Sequence, residues 1–105
     1  MTAEPAWEAL SPGMLDRELA RLLWQSGQAP DYSGSEGGMR ALKWEMELRG
    51  YRFRTAARAA GRGTACAFQP EGAPEERVHW VGMEEVPEAL AVSRAALLAL
   101  RVGPT

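Results

Sequence analysis

The sequence predicts a mixed α+β fold with a three-stranded antiparallel meander in the element order ααβββα. Three observations predict it. Two segments with apolar residues at helical spacing come first, at Leu15, Leu19, Leu22 and Leu23 and then at Met39, Leu42 and Met46. Short strand-like segments follow, joined by glycine- and proline-rich turns that favour neighbouring antiparallel strands. The chain then closes on a helix over residues 86–100 that is apolar on nearly every side.

Each element has its own local cause. Ser11-Pro12 is a helix start: the serine caps free N–H groups, and proline at the first helical position loses nothing by lacking one. The first helix is expected to end near Gln25-Ser26-Gly27. The second begins in the stretch Tyr32 to Glu36, where Ser33 and Glu36 have capping-box spacing. Gly37 and Gly38 weaken its first turn by roughly 1 kcal/mol each relative to alanine. Ala41, Trp44 and Leu48 extend its apolar face into a broad buried stripe, and Arg49-Gly50 reads as a C-terminus with left-handed glycine. Residues 51–55 alternate aromatic and basic, the period of a half-buried strand. Residues 64–69 form a second strand with Cys66 and Phe68 on one face, and residues 77–83 a third. Turns are expected at 59–63 and 70–74.

A chain of 105 residues is one small domain, here residues 11–102 with a flexible lead at 1–10 and a tail at 103–105. Hydrophobic residues make up 46%, enough for a core, and the net charge is −2, which gives no long-range attraction to DNA or RNA duplexes or to a membrane surface. A single cysteine, Cys66, excludes an intramolecular disulfide and fits a reducing compartment. With one histidine, His79, the chain lacks the Cys/His set of a zinc site, and no metal or cofactor is expected. The first residues have no signal-peptide pattern and no apolar run approaches the ~18 residues of a membrane span, so a cytoplasmic location is expected. Four tryptophans and an apolar last helix in so small a domain lead us to expect a homo-oligomer, a dimer or larger.

Two stretches resemble the phage alpha-beta-alpha sandwich domain, a family of small phage and prophage proteins. One is Tyr32-Ser33 followed by a helix with Trp44 that ends at Leu48-Arg49-Gly50-Tyr51. The other is Pro87-Glu88-Ala89 followed by Ser93-Arg94-Ala95-Ala96-Leu97-Leu98-Ala99-Leu100. The helix with Leu15-Asp16-Arg17-Glu18-Leu19 is also similar, and the pieces fall in order over roughly residues 11–101. The chain departs from the family pattern at Glu85-Val86, where a threonine or Asp-Thr pair precedes the proline, and at Ser93, where a cysteine is common. The resemblance implies an α-β-α fold and a phage origin, hence an infected bacterial cell; it supplies no catalytic residues.

Catalysis has few candidates. A nucleophile needs a base within hydrogen-bond reach, and only Cys66 with His79 offers such a pair. The competing reading is a packed, inert Cys66 and a solvated His79, and it is preferred. Glu75-Glu76 and Glu84-Glu85 read as solvated charge beside turns, and no phosphate-binding glycine loop with its lysine is present. The chain is therefore read as a non-enzyme.

The arginines carry more. Arg52 and Arg54 project from one face of the first strand, with Arg58 and Arg62 towards the next turn. Arg94 sits inside the apolar last helix, where it is either paired or waiting for an anion. Tyr32, Ser33 and Ser35 stand at a helix N-terminus, which favours an anion, and Trp80, Tyr51 or Trp44 offers a stacking surface. Tyr32, Ser33, Ser35, Arg52, Arg54, Trp80 and Arg94 are the candidate ligand-binding set. The competing structural reading pairs the arginines with Glu45, Glu47 or Glu75 and places the aromatics in the core. The expected function is that of a non-catalytic phage accessory protein that sequesters a nucleotide-type immune signal, a cyclic oligonucleotide or an ADP-ribose derivative. The alternative is a protein-interaction module, an inhibitor of a host protein or a virion assembly factor, with Trp7 in its contact. A small hydrolase is the third reading.

Overall fold

A computed structural model describes residues 10–23, 30–57, 63–74, 78, 80–83 and 86–102. The elements run α1 (Pro12–Leu22), α2 (Glu36–Leu48), β1 (Tyr51–Ala57), β2 (Thr64–Pro70), β3 (Val81–Gly82) and α3 (Glu88–Val102). The α+β class and the order ααβββα are as the sequence predicts. The strands form one antiparallel sheet in the order β1-β2-β3.

Helix α1 starts as its residues dictate. The Ser11 hydroxyl accepts from the Met14 N–H, with Pro12 at the first helical position. Its Leu15 and Leu19 are fully buried. Leu10, assigned by sequence to the flexible lead, is also in the core. The expected end at Gln25 to Gly27 lies outside the described residues.

Helix α2 is capped by Ser35 rather than Ser33. The Ser35 hydroxyl accepts from the Gly38 N–H at 2.9 Å and donates to the Asp31 carbonyl at 3.1 Å. Ser33 is held against α1 instead: its N–H donates to Asp16 Oδ1 at 3.0 Å in a buried setting, and its hydroxyl donates to the Pro12 carbonyl at 3.4 Å. Gly38 is required by this tight entry: a Cβ there would collide with the Asp31 carbonyl. Met39, Leu42 and Met46 are buried as expected, but Ala41, Trp44 and Leu48 are exposed. The buried stripe of α2 is thus one face wide. Its end carries Gly50 at φ 89°, the left-handed position that glycine adopts without cost.

Helix α3 is the hub. It packs against α1, α2, β2 and β3, which explains why it is apolar all round. Register pairs Phe53 with Phe68 and Thr55 with Cys66, so these residues share one sheet face with Tyr51. On that face α2 meets β1, with the Lys43 ammonium 4.3 Å from the centre of the Phe53 ring, and α3 meets Tyr51, whose hydroxyl donates to the Ala99 carbonyl at 3.5 Å. Helix α1 packs in turn on α3. The third strand is shorter than the expected 77–83: Val81 and Gly82 pair with Cys66 and Ala65, and the Met83 N–H adds a bond to the Thr64 carbonyl.

Candidate functional site

The opposite sheet face is built by the register. Arg52 lies across from Gln69, Arg54 from Ala67 and Ala56 from Ala65, so all six project to the side away from Tyr51 and Phe53. Arg54 is the organiser. Its guanidinium lies over Trp80, 5.4 Å from the ring centre, and one of its N–H groups donates to Gln69 Oε1 at 2.9 Å. Gln69 is in turn held by its amide N–H, which donates to the Ala73 carbonyl at 2.7 Å. Ala67, directly across from Arg54, is fully buried beneath this surface. A guanidinium stacked on an indole still donates through its in-plane N–H groups, and Arg54 is already engaged within the chain in this way.

Arg52 lies one strand repeat away. It is exposed, and among the described residues it has no hydrogen-bond or ion-pair partner. It lines a depression of about 340 Å³ together with Gln69, Gly50, Gly72, Glu47 and Glu71. The depression sits where the left-handed Gly50 hands α2 on to β1 and where Gly72, at φ 82°, turns the chain out of β2. The Glu71 N–H donates to the Gly50 carbonyl at 2.8 Å and fixes the two turns against each other.

The structure brings Arg52, Arg54 and Trp80 together and sets the other predicted residues elsewhere. Ser33 and Ser35 line a second depression of about 450 Å³ with Glu36, Pro87 and Glu88, between the starts of α2 and α3. Both helix dipoles favour an anion there and two glutamates oppose one, as Glu47 and Glu71 do at the first depression, but no arginine lines this one. Both serine hydroxyls are already engaged, Ser35 as described and Ser33 donating to the Pro12 carbonyl at 3.4 Å. Tyr32 is a core residue, 1% exposed, with no ring face open to a ligand. Burial among apolar neighbours raises its phenol above the ordinary value. Arg94 is half-buried on α3 and already engaged within the chain. Tyr51 is buried as well, whereas Trp44 is 63% exposed on α2. Arg58, Arg62, Glu75, His79, Glu84, Glu85 and Trp7 lie outside the described residues.

The ion pairs seen among the described residues involve other arginines than the expected series: Arg49 Nε lies 3.7 Å from Glu45 Oε2, and Arg40 pairs with Glu36 at 2.7 Å. Cys66 sits against Val81 in the core, and burial pushes its thiol up to about 11, so it stays protonated near neutral pH. Among the described residues no group of three His, Cys, Asp or Glu side chains is placed to hold a metal ion. No described helix is long and apolar enough to cross a membrane.

Sequence reasoning missed two features. One is Gln69, whose link to Arg54 follows only from the register. The other is Asp16, whose carboxyl is buried and raised above the ordinary carboxylate range by desolvation, against the lowering effect of its bonds to Ser33. Its signal in the sequence was an acid placed beside Leu15 on a core-facing helix. Searches against family models, curated proteins and solved structures found no match to this chain.

Proposed function

We propose that this protein binds a nucleotide-type anion without catalysis, through the Arg52–Arg54–Trp80 face of its sheet. One observation carries the reading: an exposed arginine with no partner among the described residues stands at the mouth of a depression, one strand repeat from a guanidinium stacked on tryptophan. Phosphate oxygens suit the Arg52 guanidinium, with the Trp80 indole and its stacked Arg54, itself already engaged within the chain, on the same sheet face. Combined with the resemblance to phage alpha-beta-alpha sandwich proteins, this supports an anti-defence role, sequestration of a cyclic oligonucleotide or ADP-ribose signal inside an infected cell.

A thermal-shift screen against cyclic di- and trinucleotides and ADP-ribose isomers tests the reading. A ligand at ~100 times its dissociation constant adds about 2.7 kcal/mol of stability. The shift should vanish in Arg52→Ala, and the ligand should be recovered intact after denaturation. A degraded ligand would mean a hydrolase. A flat panel would favour the rival reading, a protein-interaction module, which draws on the exposed Trp44 and Leu48 of α2.

A further inference from the structure

Helix α2 carries two apolar stripes, and its own domain uses one. Met39, Leu42 and Met46 face the core. On the opposite side Gly37, Ala41, Trp44 and Leu48 follow at i, i+4, i+7 and i+11, the seam spacing of a helix that packs on another helix. Trp44 is 63% exposed and Leu48 is 65% exposed, the highest among the large hydrophobic side chains of the described residues.

We propose that this stripe is the interface with a second copy of the chain, with the two α2 helices antiparallel about a two-fold axis that passes between Ala41 and Trp44. The proposal does not rest on the ligand reading. Three features select this occupant. The first is shape. The stripe is small at its N-terminal end and large at its C-terminal end. An antiparallel pair sets Ala41 against the partner's Trp44 and Gly37 against the partner's Leu48, small against large, twice over. The second is charge. Arg40 and Glu47 flank the seam on the same side, and in the antiparallel pair each Arg40 meets the partner's Glu47. Among the described residues of its own chain Glu47 has no ion-pair partner, and Arg40 pairs with the exposed Glu36 of the preceding turn. The third is Gly37 itself. A Cβ there would meet nothing within the domain, unlike at Gly38, so the monomer has no steric need for this glycine and loses helix stability by having it. A close helix–helix approach supplies the need.

Sedimentation velocity on the full chain from about 5 to about 500 µM tests this, a range chosen because three helical turns make a small interface. A monomer–dimer equilibrium is expected. Trp44→Glu should raise the dissociation constant at least about thirtyfold, the loss of a central anchor. Gly37→Gln should also weaken the dimer while raising helix stability by circular dichroism, a split that a merely structural glycine would not give. Glu47→Arg should weaken association, and adding Arg40→Glu should restore it. A wild-type chain that stays monomeric throughout, a dimer unaffected by Trp44→Glu and Gly37→Gln, or a charge-swapped pair no better than Glu47→Arg alone would each overturn the proposal.

Discussion

The Arg54 guanidinium rests 5.4 Å from the centre of the Trp80 ring while donating to Gln69 across the strand pair. The contact joins β1 to the segment leading into β3, whose own ladder is only two residues long. A cation–π contact at a half-buried site is worth about 0.5–2 kcal/mol. A double-mutant cycle on Arg54→Ala and Trp80→Ala by chemical denaturation should return a coupling of that size. A coupling indistinguishable from zero would remove Arg54 as organiser of this face.

The Asp16 carboxyl ties α1 to the connector before α2, and its burial sets an unusual pH response. Desolvation outweighs the bonds from Ser33, so its folded pKa lies above the unfolded value. A carboxyl shifted this way contributes stability in the protonated form, fully present below the unfolded pKa and lost as pH rises through the folded one. Asp16→Asn keeps an acceptor for the Ser33 N–H and removes the buried charge, so it should hold or raise stability at pH 7. Asp16→Ala leaves that N–H without its acceptor and should cost about 1–3 kcal/mol. Urea melts of the three proteins across the carboxylate range check both. An Asp16→Asn variant as damaged as Asp16→Ala would show that the charge itself is needed.

How far this was legible in the sequence depends on whether the deciding contact was local. The caps at Ser11 and Gly50 were legible because each is fixed within one turn. The cap of α2 was not. Ser33 and Ser35 are both able to cap, and Ser33 is drawn to Asp16 and the Pro12 carbonyl of α1, seventeen and twenty-one residues away in sequence. The second stripe of α2 misled for a related reason. Ala41, Trp44 and Leu48 repeat the i, i+3, i+7 spacing of Met39, Leu42 and Met46, and periodicity alone does not say which stripe meets the core. Of the candidate site, the strand alternation placed Arg52 and Arg54 on one face correctly. Gathering Trp80 to them and sending Tyr32 into the core required the sheet register and the helix packing.

Cys66 offers a direct check on the core. Its thiol is fully buried and pushed up to about 11, and the thiolate is the reactive form. In the native protein at pH 8 it should react with a thiol reagent far more slowly than in the unfolded chain. The same shift predicts alkaline destabilisation. The unfolded thiol ionises from about 9 upward while the folded one does not, so stability is present below that value and falls as pH rises towards the folded value. Rapid labelling of the folded protein would place Cys66 at an accessible position and reopen it as a nucleophile.

Ser93 is fully buried on α3, and its hydroxyl has no hydrogen-bond partner among the described residues. An unsatisfied buried hydroxyl gives back none of its lost hydration, which costs about 1–3 kcal/mol in proteins. Serine and alanine differ by that one oxygen, so Ser93→Ala removes the cost and leaves only a small void. The variant should melt higher than wild type, by a few degrees for a domain of this size. Cysteine at this position, as the phage alpha-beta-alpha sandwich pattern has it, places a weakly polar sulfur in the same space and should also stabilise. Paired thermal melts of Ser93→Ala and Ser93→Cys decide the point. A clear loss in both would mean that the hydroxyl holds a partner, and that α3 is keyed to its neighbours by a polar contact at its centre as well as by packing.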